Sequence, residues 1–142
     1  MPKLSRIFRL TAQEWGLLLS ALALVWLVRI GLWLLPFRLV RESVTRVARP
    51  RARRLRRVTP QQMVWAVRRV SRIVPRATCL TQALATRILF GRQGWPAQVH
   101  IGGRRAIQGG FEAHAWLECE GRVVLGRVPD LETFSRFGGF TA

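Results

Sequence analysis

The sequence predicts an α+β fold in which helices precede an antiparallel sheet. Apolar residues recur at helical spacing before Pro75 and again from Cys79 to Gly91. Beyond Gly94 the period changes to two, and segments that alternate apolar and polar residues are separated by glycine pairs, as between strands. A long apolar run over residues 15–35 predicts one more helix near the N-terminus. We therefore expect a hydrophobic N-terminal helix followed by a small helix-and-sheet domain.

The N-terminal helix is predicted to begin at a capping box formed by Thr11 and Glu14, after a basic segment over residues 1–10. Residues 15–35 are apolar almost throughout, and at about 1.5 Å per residue a helix over this run reaches roughly 30 Å, enough to cross a bilayer. Hydropathy alone therefore allows a membrane span. A cleaved signal peptide is disfavoured because no convincing cleavage site follows the run.

Three residues interrupt this apolar run. Arg29 near mid-depth would cost about 2.5 to 3.5 kcal/mol in a membrane, which the leucines of the run could offset. Gly31 and Pro36 also break the pattern. The interruptions favour association with a membrane surface, or packing in a hydrophobic groove of the domain or of a partner, over a complete span.

Residues 38–57 carry nine arginines and a single acid, Glu42. The plain interpretation is a solvated basic linker or pair of helices. These arginines could also bind anionic lipid headgroups, or attract an acidic peptide or a protein partner. Nucleic-acid binding is disfavoured because no recognised nucleic-acid fold signature accompanies the charge. We divide the chain into a hydrophobic helix with its arginine-rich linker, residues 1–57, and a domain, residues 58–142.

The domain is predicted to begin with a helix whose first position is Pro60, where the missing amide proton is not needed. An apolar stripe along it indicates core packing, and Pro75 ends it. A second helix begins at Cys79 with Thr78 as its N-cap. The Cys79 thiol therefore lies in the first turn, where the helix dipole favours the negative charge that a thiolate nucleophile carries.

The first strand is predicted over residues 97–101, closed by the next two glycines. His100 alternates outward in it and is a candidate for contact with a substrate. At the other end of the domain, residues 130–134 are predicted to form a short terminal helix with Asp130 as its N-cap.

The second strand follows Gly109 and Gly110 and carries His114 and Trp116 on the face opposite its apolar side. A tight turn at Gly121 leads into a third strand over residues 122–125, so the two strands are predicted to form an antiparallel hairpin. His114 is thereby held on a rigid element, as a general base requires.

The composition bounds the class of protein. A chain of 142 residues with 49% hydrophobic content fits one small domain, and 24 lysines and arginines against seven acids give a net charge of +17. The two cysteines, Cys79 and Cys119, could form a disulfide, but nothing requires one, and they provide no metal framework. A reducing cytoplasm is the simpler setting, because it keeps a thiol nucleophile reduced.

A cysteine at a helix start followed by a histidine in a strand is the layout of thiol hydrolases of the papain and transglutaminase superfamily. Two linked motifs make residues 58–138 resemble the leader peptidase of lasso peptide biosynthesis, which has a transglutaminase-like core. The hydrophobic stretch ending at residues 34–38 is also similar to that family's. The residues that carry the resemblance are Cys79, Leu80, Ala83, Leu84, Ala85, Arg87, Leu89, Arg92 and Gly94, then His100, Ile101 and Gly102, then Phe111, Ala113, His114, Ala115, Trp116, Leu117, Glu118 and Gly121.

The resemblance implies a cytoplasmic cysteine protease that removes the leader from a ribosomally made precursor peptide and needs no cofactor. It also implies two partners, a small leader-recognition protein and a separate ATP-dependent lasso cyclase that receives the core peptide. Cys79 matches the family nucleophile and His114 the family base. Trp116, on the face of His114, and His100 are candidates to contact the substrate.

The third catalytic residue is where this sequence departs from the family. The family usually has an aspartate beyond the histidine, at a position that Gly126 occupies here. Asp130 is the nearest aspartate and could orient His114. Alternatively, a backbone carbonyl orients the imidazole, which leaves a Cys–His dyad.

Three other functions fit the same sequence. A non-catalytic peptide-docking scaffold of the same fold is favoured by the missing aspartate. A thiol enzyme could transfer its acyl group to an amine rather than to water. A basic membrane or nucleic-acid adaptor would make the peptidase-like motifs coincidental.

Overall fold

The computed structural model describes residues 10–50 and 57–140. Four α-helices come first in these residues: α1 Ala12–Leu34, α2 Phe37–Val47, α3 Pro60–Ser71 and α4 Cys79–Arg92. Four strands follow: β1 Gln98–Arg105, β2 Phe111–Cys119, β3 Arg122–Leu125 and β4 Ser135–Phe140. They form one antiparallel sheet in the order β3-β2-β1-β4, which confirms the α+β class. Most of the predicted basic N-terminal segment and the centre of the arginine-rich linker lie outside the described residues.

Local sequence sets where the helices start. α1 begins at the predicted capping box, in which the Glu14 amide donates to Thr11 Oγ1 at 3.2 Å and the Thr11 amide donates to Glu14 Oε2 at 2.7 Å. α3 has Pro60 at its first position and a capping box of its own. Thr78 caps α4 by accepting from the Thr81 amide at 3.4 Å. The three predicted starts are confirmed.

α1 packs one face on α3 and α4 and leaves the other exposed. Ala21 and Val25 are fully buried in the core with the apolar stripe of α3. α1 is long and apolar enough to cross a membrane, by a test of length and composition that a core helix or a signal sequence also passes. The large exposed apolar residues of α1 are Trp15, Leu19, Trp26, Leu27, Ile30, Trp33 and Leu34.

α4 is the central helix of the core. Its residues from Ala83 to Gly91 are buried, and the sheet packs on it through the face that carries Val99, Ala115 and Leu117. α2 approaches α4 at Gly91, where an added Cβ would lie 2.0 Å from the carbonyl oxygen of Ala48. The absence of a side chain at this position is what lets the two backbones touch.

Two expectations about the domain are wrong. β1 runs through Gly102 and Gly103 to Arg105 instead of ending before these glycines. Gly103 lets the Phe111 ring pack against the strand, because an added Cβ would lie 2.2 Å from that ring. The predicted terminal helix is a single 3₁₀ turn, Leu131–Thr133, followed by β4, which pairs with β1. β4 was missed because its residues show no clear alternation of apolar and polar side chains, and it pairs with β1 from Val99 to Gly103.

Candidate active site

Cys79 is the first residue of α4. Its side chain is half-buried against the core, and it forms no disulfide bond with the buried Cys119. The Cys79 thiol forms no hydrogen bond within the described residues. Its amide belongs to the first turn of a helix, whose N–H groups have no partner inside the helix and point outward. The position therefore combines a nucleophilic atom with a donor suited to an oxyanion.

His114 lies in β2, opposite Gly102 of β1. Its Nε2 is 2.6 Å from the carbonyl oxygen of Gly126. Because a carbonyl oxygen only accepts, Nε2 carries the proton and donates. In the neutral imidazole, Nδ1 is then the nitrogen with the free lone pair, so Nδ1 is the atom that can take up a proton.

Gly126 is the residue that positions the imidazole. It has φ +84°, and an added Cβ would lie 2.8 Å from the carbonyl oxygen of Ala115. The position therefore requires glycine both for its left-handed backbone and for its contact with β2. The family resemblance would put an aspartate at this position. Here the backbone carbonyl of Gly126 accepts a hydrogen bond from the imidazole instead.

Asp130 pairs with Arg104 of β1. The guanidinium of Arg104 binds the Asp130 carboxylate and donates through Nε to Glu112 Oε2 at 2.8 Å. The hydrogen bond from Arg104 is the main cause that holds the pKa of Asp130 below its usual value. The Asp130 carboxylate forms no hydrogen bond with His114 in the described part of the chain, and its role as third catalytic residue stays a prediction. The carboxylate does not cap the 3₁₀ turn either.

His100 and Trp116 lie in a buried cluster on the sheet face away from α4. Trp116 is 1% exposed and its Nε1 donates to Glu118 Oε1 at 3.1 Å. The His100 ring stacks on Trp116 with centroids 5.6 Å apart, and its Nε2 is 3.3 Å from Glu118 Oε2. The expectation that His100 points outward is wrong, because Trp116 and Glu118 cover it. Contact of His100 or Trp116 with a substrate stays a prediction.

No hydrogen bond joins Cys79 to His114 among the described residues. Cys79 begins α4, and the sheet packs on this helix through a face that includes Ala115. His114 projects from the opposite face of β2, since successive side chains of a strand alternate. The structure brings His114, Trp116 and His100 together and Asp130 to Arg104, whereas the Cys79–His114 pair stays a prediction.

One contributor to this region was missed from the sequence. Arg104 lay outside the predicted first strand, so its position opposite Glu112 gave no signal. The backbone carbonyl that the sequence analysis offered as an alternative to Asp130 is found, and it belongs to Gly126. Among the described residues, no group of three histidine, cysteine, aspartate or glutamate side chains could hold a metal ion.

The family model of the transglutaminase-like superfamily matches residues 21–137, a stretch that includes α4 with Cys79 and the strand with His114. No curated protein and no solved structure matches the chain significantly. The family match extends from α1 into β4 and so covers most of the chain. This chain therefore belongs to the transglutaminase-like superfamily.

Proposed function

We propose that this protein is a cysteine endopeptidase that removes the leader from a ribosomally synthesised lasso precursor peptide. The superfamily to which it belongs includes cysteine proteases. The observation that carries the proposal is the position of Cys79 as the first residue of a capped helix, with His114 on the neighbouring sheet. The narrower choice of a leader peptide as substrate rests on the motif resemblance around these two residues.

The proposed reaction is acyl transfer to water. The Cys79 sulfur attacks the carbonyl carbon at the leader–core junction, and the Cys79 amide donates to the oxyanion that forms. His114 Nδ1 takes the thiol proton and passes it to the departing amine. Water then breaks the thioester and releases the new carboxylate. Because His114 projects from the face of β2 away from α4, this transfer requires substrate binding to move the thiol and Nδ1 within hydrogen-bond reach of each other.

The proposal includes partners and a location. A small leader-recognition protein presents the precursor, and an ATP-dependent cyclase receives the core peptide. The arginines of residues 38–57 attract an acidic leader or the recognition protein. The exposed apolar face of α1 associates the otherwise cytoplasmic protein with an anionic membrane surface.

The test is to incubate the full chain with the precursor peptide, with and without the recognition protein, and to weigh the products. Hydrolysis gives two peptides whose masses sum to that of the precursor plus one water. Cys79→Ala should abolish cleavage, whereas Cys119→Ala is the matched control, since Cys119 is a buried thiol of β2 outside the proposed chemistry. Cleavage by Cys79→Ala at the wild-type rate would refute the proposal.

A peptide-docking scaffold of the same fold is the second candidate, favoured by the lack of a hydrogen bond to the Cys79 thiol among the described residues. It would bind the precursor and leave its mass unchanged. Transamidation would instead add the mass of an amine to the leader. A basic membrane or nucleic-acid adaptor would bind vesicles or nucleic acid but show no dependence on Cys79.

A further inference from the structure

A cavity lies at the opposite end of α4 from Cys79. It has a volume of about 710 Å³ and opens between the end of α2, the C-terminal half of α4 and the β2–β3 turn. Arg87 lines it from α4, and Ala48 and Trp95 supply apolar wall. Arg87 is eight residues from Cys79, which places it about 12 Å further along the helix. The cavity is therefore separate from the proposed peptidase site.

Arg87 is a buried cation without an ion-pair partner in the described part of the chain. The residue is 2% exposed, and its Nε is enclosed and forms no hydrogen bond. No described carboxylate forms an ion pair with its guanidinium, and burial lowers the pKa of Arg87. A buried charge is strongly unfavourable unless it is paired. Burying the Arg87 guanidinium without a hydrogen bond to its Nε is therefore unfavourable for folding.

The two nearby carboxylates are not available to neutralise Arg87. Glu118 Oε1 accepts from Trp116 Nε1 and from Arg136, each at 3.1 Å, while Glu118 Oε2 faces His100. Glu120 also lines the cavity but is exposed at the turn. The partner that the buried guanidinium lacks therefore has to come from outside the described residues.

We propose that Arg87 binds the carboxylate of a ligand that enters this cavity. A guanidinium presents two parallel N–H groups that match the two oxygens of a carboxylate. Arg49 also lines the cavity, but it is exposed to solvent, whereas Arg87 is buried. Glu118 and Glu120 would repel a doubly charged phosphate more strongly than a singly charged carboxylate. The apolar wall that includes Trp95 and Pro96 fits a hydrophobic group attached to the carboxylate. The source is either a small free acid or an acidic side chain of a peptide, and both share this chemistry.

The test uses the full chain and saturation-transfer NMR with defined probes. The small probes are phenylacetate, phenylacetamide and phenyl phosphate. The peptide probes are a blocked Ala-Glu-Ala tripeptide and its glutamine counterpart. We expect at least one carboxylate probe to bind and its amide to bind at least about tenfold more weakly. Binding of phenylacetate assigns a small acid and binding of only the glutamate peptide assigns a peptide side chain.

The variants assign the site. Arg87→Met should weaken binding of the carboxylate by about tenfold or more, while the exposed Arg68→Met on α3 should leave it unchanged. If Arg87→Met does not fold, Arg87→Lys decides, because a point charge without the paired donors should still weaken binding several-fold. Wild-type affinity in the Arg87 variant that folds, no carboxylate binding by the wild type, or tighter binding of phenyl phosphate would overturn the proposal. Cys79→Ala should bind the probes as the wild type does, so this result is independent of whether the chain cleaves a peptide.

Discussion

At the scale of single residues, the arrangement around His114 depends on one glycine. The Gly126 carbonyl determines which imidazole nitrogen is protonated, a role that a carboxylate fills in a catalytic triad. A carbonyl is neutral, so it orients the ring but stabilises a positively charged imidazolium less than a carboxylate does. We therefore expect a dyad whose imidazole is oriented by the backbone, with Asp130 serving mainly the Arg104 ion pair.

The Asp130–Arg104 pair gives a prediction about acid stability. Arg104 lowers the pKa of the Asp130 carboxyl in the folded chain relative to the unfolded chain, where it is near 3.9. The stabilisation is thus fully present above about pH 4 and is lost as the pH falls through the folded pKa. Asp130→Asn should unfold at a lower urea concentration than the wild type at pH 7, and this difference should vanish in acid.

The exposed Glu132→Gln is the control for this experiment, because it removes one neighbouring carboxylate without touching Arg104. A gap between Asp130→Asn and the wild type that stays constant from pH 7 to pH 3 would contradict the linkage. The same variant tests the dyad. Cleavage retained by Asp130→Asn supports orientation by the backbone, and a loss of kcat of about 100-fold or more would make Asp130 the orienting residue.

At the scale of elements, α4 gives the site its geometry. Thr78 sets its start, so Cys79 lies in the first turn, and its buried length anchors the sheet that carries His114. The Gly91 contact fixes α2 on the same helix. The end of α2 and the buried Arg87 then line the cavity at the other end of α4.

Gly91→Ala is predicted to destabilise the protein. Its new Cβ would lie 2.0 Å from a backbone oxygen, so α2 has to shift, which typically costs about 1 to 3 kcal/mol in a packed core. The measurement is the free energy of unfolding from urea titration. Gly16→Ala in α1 is the matched control, since its Cβ would meet nothing within 4 Å and a helical alanine stabilises by about 0.4 to 1 kcal/mol. Equal stability of Gly91→Ala and the wild type would show that α2 is not held there.

At the scale of the whole molecule, charge and exposed apolar surface lie next to each other. α1 shows a row of large apolar side chains to the outside, and α2 directly after it exposes arginines such as Arg41 and Arg46. The other face of α1 packs on α3 and α4. If α1 crossed a membrane, α3 and α4 would have to enter the membrane with it. The packing therefore favours α1 lying in the plane of a membrane surface.

This arrangement predicts binding to anionic vesicles. The full chain should co-sediment with vesicles containing phosphatidylserine and bind them less at high salt, since part of the attraction is between arginines and headgroups. Trp33→Ser and Leu27→Ser should each weaken partitioning by roughly tenfold, because each removes a large exposed apolar side chain. Ile107→Ser in the β1–β2 turn removes an equally exposed apolar residue elsewhere and should change nothing. Equal loss in all three variants would reject α1 as the binding face.

Much of the fold could be predicted because its signals are local. The caps at Thr11, Thr59 and Thr78 mark helix starts within four residues of sequence, and the alternation after Gly110 marks β2. β4 could not be predicted in the same way. Its residues carry no clear alternation, and it is a strand because β1 offers it hydrogen bonds.

The sequence by itself determined the helix that begins at Cys79, the hairpin that carries His114 and the resemblance to a thiol peptidase, because capping and periodicity act between near neighbours. Only the tertiary structure decided the partner of each polar group: the Gly126 carbonyl for His114, Arg104 for Asp130, and none among the described residues for Arg87. The physical reason is that hydrogen bonds and burial depend on which segments meet in space, and the meeting of β1 with β2 and β4 has no signature within any one of them.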